Sequence, residues 1–376
     1  VADPTRGLST WLEIDLAAIA ENVHQMRRLS GVAVMAVVKA NGYGHGLVPV
    51  AKKAVEAGAA FCGVARVEEA LELRAAGLTI PVLVLGDTPA DRLHQAVQAD
   101  ISLTVFRQDH LEILRETVAH ASKQAKVHLK VDTGMSRLGT SPDRALEYLQ
   151  ALSALPGVTV EGLFTHFARA DEPRVAVTEH QDRLMHALVD KATAAGLRPR
   201  LVHAANSAAA LTRPSSRYDM VRPGIAIYGM NPSAEVRLPS GFRRALTWKA
   251  RITQIRQLPP GTGVSYGHAY VTTAEERIGV VPVGYGDGYR RQPGNRVLVG
   301  GRAVPVRGRV CMDQLMIDLT ELPAVEVGAE VVLLGEQGSA SISASDLART
   351  WKSLNYEVAC GLSARVPRLY ENEPLA

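Results

Sequence analysis

Lys39 ends the apolar run Val34-Met35-Ala36-Val37-Val38 and is followed at once by Ala40-Asn41-Gly42-Tyr43-Gly44-His45-Gly46. An amine at the end of a buried strand is partly desolvated, which lowers a lysine's pKa and raises its neutral, nucleophilic fraction. That is what imine chemistry with a carbonyl cofactor requires. The glycines predict a pliable loop in which Tyr43 and His45 alternate with them. The competing reading, a lysine reaching from a strand end into solvent, describes most such residues.

Other polar residues stand at the ends of β-rich runs further along: Lys130 with Asp132, Arg137 just beyond, His166, Asn206 with Ser207, and Arg222. The elements that must position them come from one phrase repeated from Trp11 to about Gly229: a short β-rich run, a polar turn, then a helical pattern. Strands are expected over 32–39, 61–65, 81–86, 101–106, 127–132, 160–167, 201–207 and 220–228. Between them apolar residues fall at helical spacing, as in Leu16, Ile19, Val23 and Met26 after Asp15 as N-cap, or Val67, Ala70 and Leu71 before Gly77. Ser141-Pro142-Asp143 opens a further helix in cap-then-proline order. Eight such units predict a (β/α)8 TIM barrel, in which polar residues at the C-terminal strand ends share one mouth. Amine, imidazole, guanidinium, hydroxyl and amide groups converging there suit an anionic, phosphate-bearing aromatic cofactor.

After Gly229 the texture changes. Residues 231–244 are rich in Pro, Ser, Gly and charge, and beyond them the chain reads as strands: 248–258, 277–283, a hairpin 297–299 to 303–310 turning at Gly300-Gly301, and 331–334. One helix is expected over 344–354. The predicted division is therefore a barrel over 1–239 and a mainly β C-terminal domain over 240–376. The chain of 376 residues carries a formal net charge of +4 with scattered basic residues, which argues against a nucleic-acid tail or a membrane patch. Cys62, Cys311 and Cys360 are widely spaced with no CxxC pair, so free buried thiols are expected, with neither disulfide nor metal site. No signal-peptide core and no 18-residue apolar span occurs, so a cytoplasmic protein is expected.

The run Ala36-Val37-Val38-Lys39-Ala40-Asn41-Gly42-Tyr43-Gly44-His45-Gly46 closely resembles the pyridoxal-phosphate signature of alanine racemases. The likeness continues through Trp11-Leu12-Glu13-Ile14-Asp15, Lys130-Val131-Asp132-Thr133-Gly134-Met135-Ser136-Arg137-Leu138-Gly139, Leu163-Phe164-Thr165-His166-Phe167 and His203-Ala204-Ala205-Asn206-Ser207. It extends over Val221-Arg222-Pro223-Gly224-Ile225, Val264-Ser265-Tyr266-Gly267, Gly284-Tyr285-Gly286-Asp287-Gly288, Gly308-Arg309-Val310-Cys311-Met312-Asp313-Gln314 and Arg365-Val366-Pro367-Arg368. These motifs occur in order across both expected domains.

The resemblance implies racemisation of L- and D-alanine with pyridoxal 5'-phosphate, supplying D-alanine for peptidoglycan. Lys39 would hold the cofactor covalently and then act as a base at Cα, with Tyr266 as the acid/base on the opposite face. Two fixed groups can take a proton from one face and return one to the other without the substrate turning over. In the family the tyrosine comes from a second protomer, head to tail, so a homodimer with shared active sites is implied. The remaining cofactor positions would be Tyr43, Ser207, Gly224, Ile225 and Tyr356 at the phosphate, His166 near the ring, Arg222 facing the pyridine nitrogen, and Asn206 as a further cofactor-binding residue. Arg137, Met312, Asp313 and the entrance residue Tyr285 would meet the substrate, and Lys130 matches a position carbamylated in many relatives. Arg169 is bulkier and more charged than that pattern leads one to expect. A broad-specificity amino-acid racemase on the same scaffold is the alternative; a decarboxylase lacks its glycine-rich phosphate loop here, and a non-enzymatic cofactor carrier would leave 240–376 without a purpose.

Overall fold

The computed structural model describes residues 4–172 and 175–371. The chain opens with strand β1 (Thr10–Asp15), where Trp11, Leu12 and Ile14 are buried. This strand pairs antiparallel with residues 246–250 and parallel with 368–371, so it belongs to the C-terminal unit. The two compact units are therefore Ala17–Arg244, and the residues up to Leu16 together with those from Ala245 onward. A boundary at 239/240 with everything before it in the barrel does not describe this division. The partners of β1 lie more than two hundred residues away, beyond the reach of any local pattern.

In the first unit, eight strands follow in chain order: β2 (Ala33–Val37), β3 (Phe61–Val64), β4 (Val82–Val84), β5 (Ile101–Val105), β6 (Ala125–Lys130), β7 (Val158–Phe164), β8 (Leu201–His203) and β9 (Met220–Val221). They pair in parallel in the order β8-β7-β6-β5-β4-β3-β2-β9. The ring closes between β8 and β9 through the bridge Asn206–Arg222, with Asp219 N–H donating to Val202 O at 3.0 Å and Arg222 N–H to Ala205 O at 2.9 Å. Every expected barrel strand is present. Met35, Phe61, Leu83, Leu201 and Met220 pack into one interior cluster. Val34, next to Met35, packs instead with Phe167, Ala204 and Ala208, the alternation a strand buried on both faces produces.

Helices cover the strands. Leu16–Ser30 buries Leu16, Ile19, Val23 and Met26, the four residues whose spacing announces it. Pro142–Ser153 begins with proline directly after Ser141. No described helix is long and apolar enough to cross a membrane.

The second unit continues with β10 (Leu246–Arg251), β11 (Gln254–Leu258), β12 (Gly263–Val264), β13 (Tyr270–Val271), β14 (Glu276–Val281) and β15 (Arg296–Val299). Then come β16 (Arg302–Arg307), β17 (Leu315–Asp318), β18 (Glu330–Gln337), β19 (Ala340–Ile342) and β20 (Arg368–Glu371). The main sheet runs β11-β14-β17-β16-β15-β18-β10-β1-β20, and β19 pairs with β18. The stretch 248–258 is two strands rather than one, because β10 pairs with β1 and β18 while β11 pairs with β14. The hairpin at Gly300-Gly301 forms as expected, both glycines having positive φ (56° and 77°). Only Cys62 of the three cysteines is buried, Cys311 being half-buried and Cys360 exposed.

Candidate active site

The loop after β2 is not pliable. Ala40, Asn41 and Gly42 adopt left-handed helical backbone (φ/ψ 54°/52°, 54°/48°, 58°/45°), and Tyr43 follows at φ 51°. Each non-glycine residue in that conformation costs about 1–2 kcal/mol, so the turn must be held from outside. Glu69, in the helix Val67–Ala75, accepts from Ala40 N–H through Oε1 (2.6 Å) and from Ala65 and Arg66 N–H through Oε2 (2.8 and 3.2 Å). Asn41 Oδ1 accepts from Leu47 N–H at 2.9 Å and so starts the next helix, Leu47–Glu56. Lys39 is thus delivered by a clamped, strained turn rather than by a flexible one.

Lys39, Lys130, Arg137 and Arg222 are close enough to one another and to His166 to act on its charge state. Burial first, then the cations of Arg222, Arg137, Lys130 and Lys39, push His166 well below the ordinary imidazole range. Burial first, then the cations of Arg222, Arg137 and Lys39 against the weaker opposition of Asp132, likewise lower Lys130 to about 8. Its ammonium lies 5.3 Å from the centre of the Phe164 ring. The Asp132 carboxylate is engaged elsewhere, Oδ1 accepting from the N–H groups of Gly134, Met135 and Ser136 (2.9, 2.8 and 3.1 Å) and so building the loop that presents Arg137. The mouth therefore carries an excess of positive charge, the setting for an anionic ligand.

Arg222 is buried just past β9. Nη2 donates to Thr165 O (2.7 Å), Ala204 O (3.0 Å) and His166 Nδ1 (3.3 Å), while Nη1 donates to His203 Nδ1 (2.8 Å). None of these partners is a carboxylate. Burial draws the guanidinium pKa down to about 9, which still leaves it charged at neutral pH.

Tyr43, Ser207 and Gly224 also come together. A Cβ on Gly224 would lie 2.3 Å from Tyr43 Oη, and Tyr43 stacks on Tyr228 with ring centres 4.8 Å apart. Ser207 Oγ accepts from Gly224 N–H at 3.0 Å and Ala226 N–H at 3.3 Å. With both its lone pairs engaged, that hydroxyl has its proton left to donate. The Gly224 amide is directed at Ser207 rather than outward, a departure from its expected use on a phosphate. Ile225 begins a one-turn 3₁₀ segment, Ile225–Tyr228. Asn206 caps the helix Ser207–Thr212, its Oδ1 accepting from Ala209 N–H at 3.0 Å. Arg169 points outward to pair with Glu172.

The remaining candidates belong to the second unit. Tyr266 starts the turn Tyr266–His268 after Ser265, whose φ is +66° and whose Oγ donates to Arg309 O at 2.6 Å. Tyr266, Met312 and Asp313 line a groove of about 890 Å³, and Tyr266 and Met312 are exposed by 64% and 54%, unusual for side chains of their size. Tyr285 N–H donates to Cys311 O (3.0 Å) and Gly286 N–H to Met312 O (2.9 Å), which ties the Tyr285 turn to the same segment. Arg365 bonds Asp287 (2.7 Å) and Asp313 (2.8 Å) and fixes both. Tyr356 lies outside the groove lining, on the helix Asn355–Cys360, which meets the Tyr285 segment through a Glu357–Arg290 ion pair. Sequence reasoning missed Glu69 and His128, and gave no role to Arg365 and His203, which it carried only within family motifs. The available signal for the two histidines was an imidazole inside an apolar strand pattern.

Two family profiles match the chain: "Alanine racemase, N-terminal domain" over residues 14–232 and "Alanine racemase, C-terminal domain" over residues 245–370. Alanine racemases of Halothermothrix orenii and Symbiobacterium thermophilum are 45% and 44% identical to it, each alignment covering 97% of both chains. Among solved structures, alanine racemase from D-cycloserine-producing Streptomyces lavendulae aligns with a TM-score of 0.93 at 39% identity over 99% of both chains. The Bacillus anthracis alanine racemase with bound L-Ala-P aligns with a TM-score of 0.89 at 41% identity, covering 96% of this chain and 95% of that one. Matched over both units and nearly end to end, the chain belongs to the alanine racemase family of isomerases.

Proposed function

We propose that this chain interconverts L- and D-alanine with pyridoxal 5'-phosphate in the barrel mouth, Lys39 and Tyr266 serving as the two bases. The observation that carries the reading is the gathering of Lys39, Lys130, Arg137 and Arg222 around His166, with Asp132 occupied by loop amides. That charge excess fits a phosphorylated cofactor and a substrate carboxylate. When bound, the cofactor supplies the electron sink that makes the substrate Cα–H acidic.

The chain's own residues do the rest. Lys39 would join the cofactor's carbonyl carbon and, displaced by substrate, take or return the Cα proton on one face. Tyr43, the Ser207 hydroxyl and the Ile225 amide would hold the phosphate, with Gly224 giving Tyr43 room and Tyr356 contributing from the second unit. Arg222 would face the ring nitrogen as a fixed cation; it disfavours protonation there and so restrains side reactions. His166 would pack near the ring, and Asn206 would hold the start of the helix that presents Ser207. Arg137 would orient the substrate carboxylate, aided by a carbamylated Lys130, with Met312 and Asp313 beside it and Tyr285 at the entrance.

Tyr266 and Lys39 belong to different units, and the exposure of Tyr266 and Met312 suits residues completed by another surface. In this reading that surface is the barrel mouth of a second copy, in a head-to-tail homodimer. The D-alanine, made in the cytoplasm, would supply the peptidoglycan of the cell wall. Mixing Lys39→Ala with Tyr266→Ala chains tests the arrangement. Each variant alone should be inactive, and the mixture should recover up to about a quarter of wild-type activity, because half of the dimers are mixed and each carries one intact site. No recovery despite proven subunit exchange refutes the shared site. Borohydride reduction that labels a lysine other than Lys39 refutes the first base.

A further inference from the structure

Arg222 is one end of a hydrogen-bond chain that crosses the barrel interior. His203 Nδ1 lies 2.8 Å from Arg222 Nη1, His203 Nε2 lies 2.9 Å from His128 Nδ1, and His128 Nε2 lies 3.2 Å from Glu161 Oε2. Both imidazoles are fully buried. The direction of every link follows from the chemistry of the two ends. A guanidinium only donates, so His203 Nδ1 accepts and the ring's proton sits on Nε2. That proton goes to His128 Nδ1, whose own proton on Nε2 goes to the carboxylate, which only accepts. Burial, with the Arg222 cation, holds His203 well below the ordinary imidazole range, and burial lowers His128 too, so both rings are neutral.

Strand β7 is shaped for this chain. Val160 pairs with Val127 and Gly162 with His128, so Glu161 is an extra residue between them. Bulges between parallel strands are rare and re-aim a side chain. A Cβ on Gly162 would lie 2.1 Å from His128 Nδ1, so glycine at this position makes the room the ring occupies. The carboxylate is also fixed, accepting from Ser102 Oγ at 2.8 Å and Arg200 Nη2 at 3.1 Å. Burial alone would raise its pKa; the donors from His128, Ser102 and Arg200 outweigh burial and keep it ionised.

We propose that Glu161 is a positioning residue for Arg222, acting through His128 and His203: it fixes both tautomers so that a bare Nδ1 faces the guanidinium. The inference rests on the reading that Arg222 faces the cofactor's ring nitrogen. Replace the carboxylate by a group that can donate, and His128 gains access to the Nδ1–H tautomer. His203 Nε2 must then accept, its Nδ1 carries the proton, and N–H opposes N–H at Arg222. A change at the edge of the barrel thereby reaches the mouth.

The test uses holoenzyme labelled with ¹⁵N-histidine, with two-bond ¹H–¹⁵N spectra assigned by signals lost in His128→Asn and His203→Asn. In the wild type both rings should be neutral with the proton on Nε2; an Nδ1–H or a charged ring at either position overturns the proposal. In Glu161→Gln at least one ring should populate Nδ1–H. Half-transamination, in which the alanine amino group passes to the cofactor and pyruvate leaves, should rise about tenfold per racemisation turnover, the scale of one weakened hydrogen bond to a charged group. Gly162→Ala, which displaces His128, should act in the same way and stands in if Glu161→Gln does not fold. Unchanged tautomers in the variants, or changed tautomers with an unchanged partition while Arg222→Lys does alter it, overturn the positioning role. If Arg222→Lys leaves the partition unaltered, the reading of Arg222 has failed, and the spectra still decide the chain of tautomers.

Discussion

Lys130 should carry a carbamate at neutral pH, and its surroundings say by how much it is favoured. Burial and the cations of Arg222, Arg137 and Lys39 bring its pKa from 10.5 to about 8. At about pH 7.5 roughly a quarter of the amine is then neutral, against about one part in a thousand for an ordinary lysine, an advantage of about 250-fold for attack on dissolved CO2. The sign of the linkage agrees. Because the folded pKa lies below the unfolded one, the ammonium form is penalised by about 3 kcal/mol at pH values below about 8. That penalty is relieved as pH rises toward the unfolded pKa. Carbamylation relieves it near neutrality by turning a cation among cations into an anion among them, where Arg137 gains a partner. Protein equilibrated with ¹³CO2 at constant dissolved concentration should show one carbamate carbon per chain, absent in Lys130→Met and lost as pH falls from about 8 to about 6. A signal that persists in Lys130→Met, or one that does not fall with pH, refutes the reasoning.

Gly224→Ala should weaken cofactor binding by about tenfold or more, because the new Cβ lies 2.3 Å from Tyr43 Oη and Tyr43 is backed by Tyr228; an absorbance titration measures it, and unchanged affinity contradicts the cluster. Glu69→Ala should remove about 1–3 kcal/mol of support from the left-handed turn and lower kcat more than it raises KM, since the N–H released belongs to the residue after Lys39. Steady-state kinetics beside denaturant unfolding separates the two effects, and a stability loss with kcat intact would make Glu69 a helix cap and nothing more.

Much of the fold was legible because parallel barrel strands are short apolar runs, and runs such as 61–65 and 101–106 recur in alternation with helical patterns, which resolves what each run alone leaves ambiguous. The resemblance to a family marked the residues of the mouth in the same way, motif by motif. What escaped was whatever depends on a partner distant in sequence. Trp11, Leu12 and Ile14 read as the start of a barrel, yet they face β10 and β20. The left-handed turn looked like slack because glycines permit many conformations, while the constraint that selects one comes from Glu69, thirty residues later.

The polar interior escaped for a further reason. His128 sits between Val127 and Leu129, and Glu161 lies between Val160 and Gly162-Leu163-Phe164. Each, taken singly, is a local violation of a buried-strand pattern. A barrel could fill that space with leucine and valine at no loss of burial, and a half-satisfied polar chain would be worse than an apolar one. Here the chain is complete from guanidinium to carboxylate, and two departures from regular strand structure, a bulge at Glu161 and a missing side chain at Gly162, exist to accommodate it. Arg222 needs acceptors that do not neutralise it, because a carboxylate in direct contact would weaken its cationic field at the mouth. Two neutral imidazoles supply an acceptor at the guanidinium and keep the compensating charge at Glu161, away from the mouth. The same reasoning explains why Arg222 is otherwise held by the carbonyls of Thr165 and Ala204 and by the neutral ring of His166.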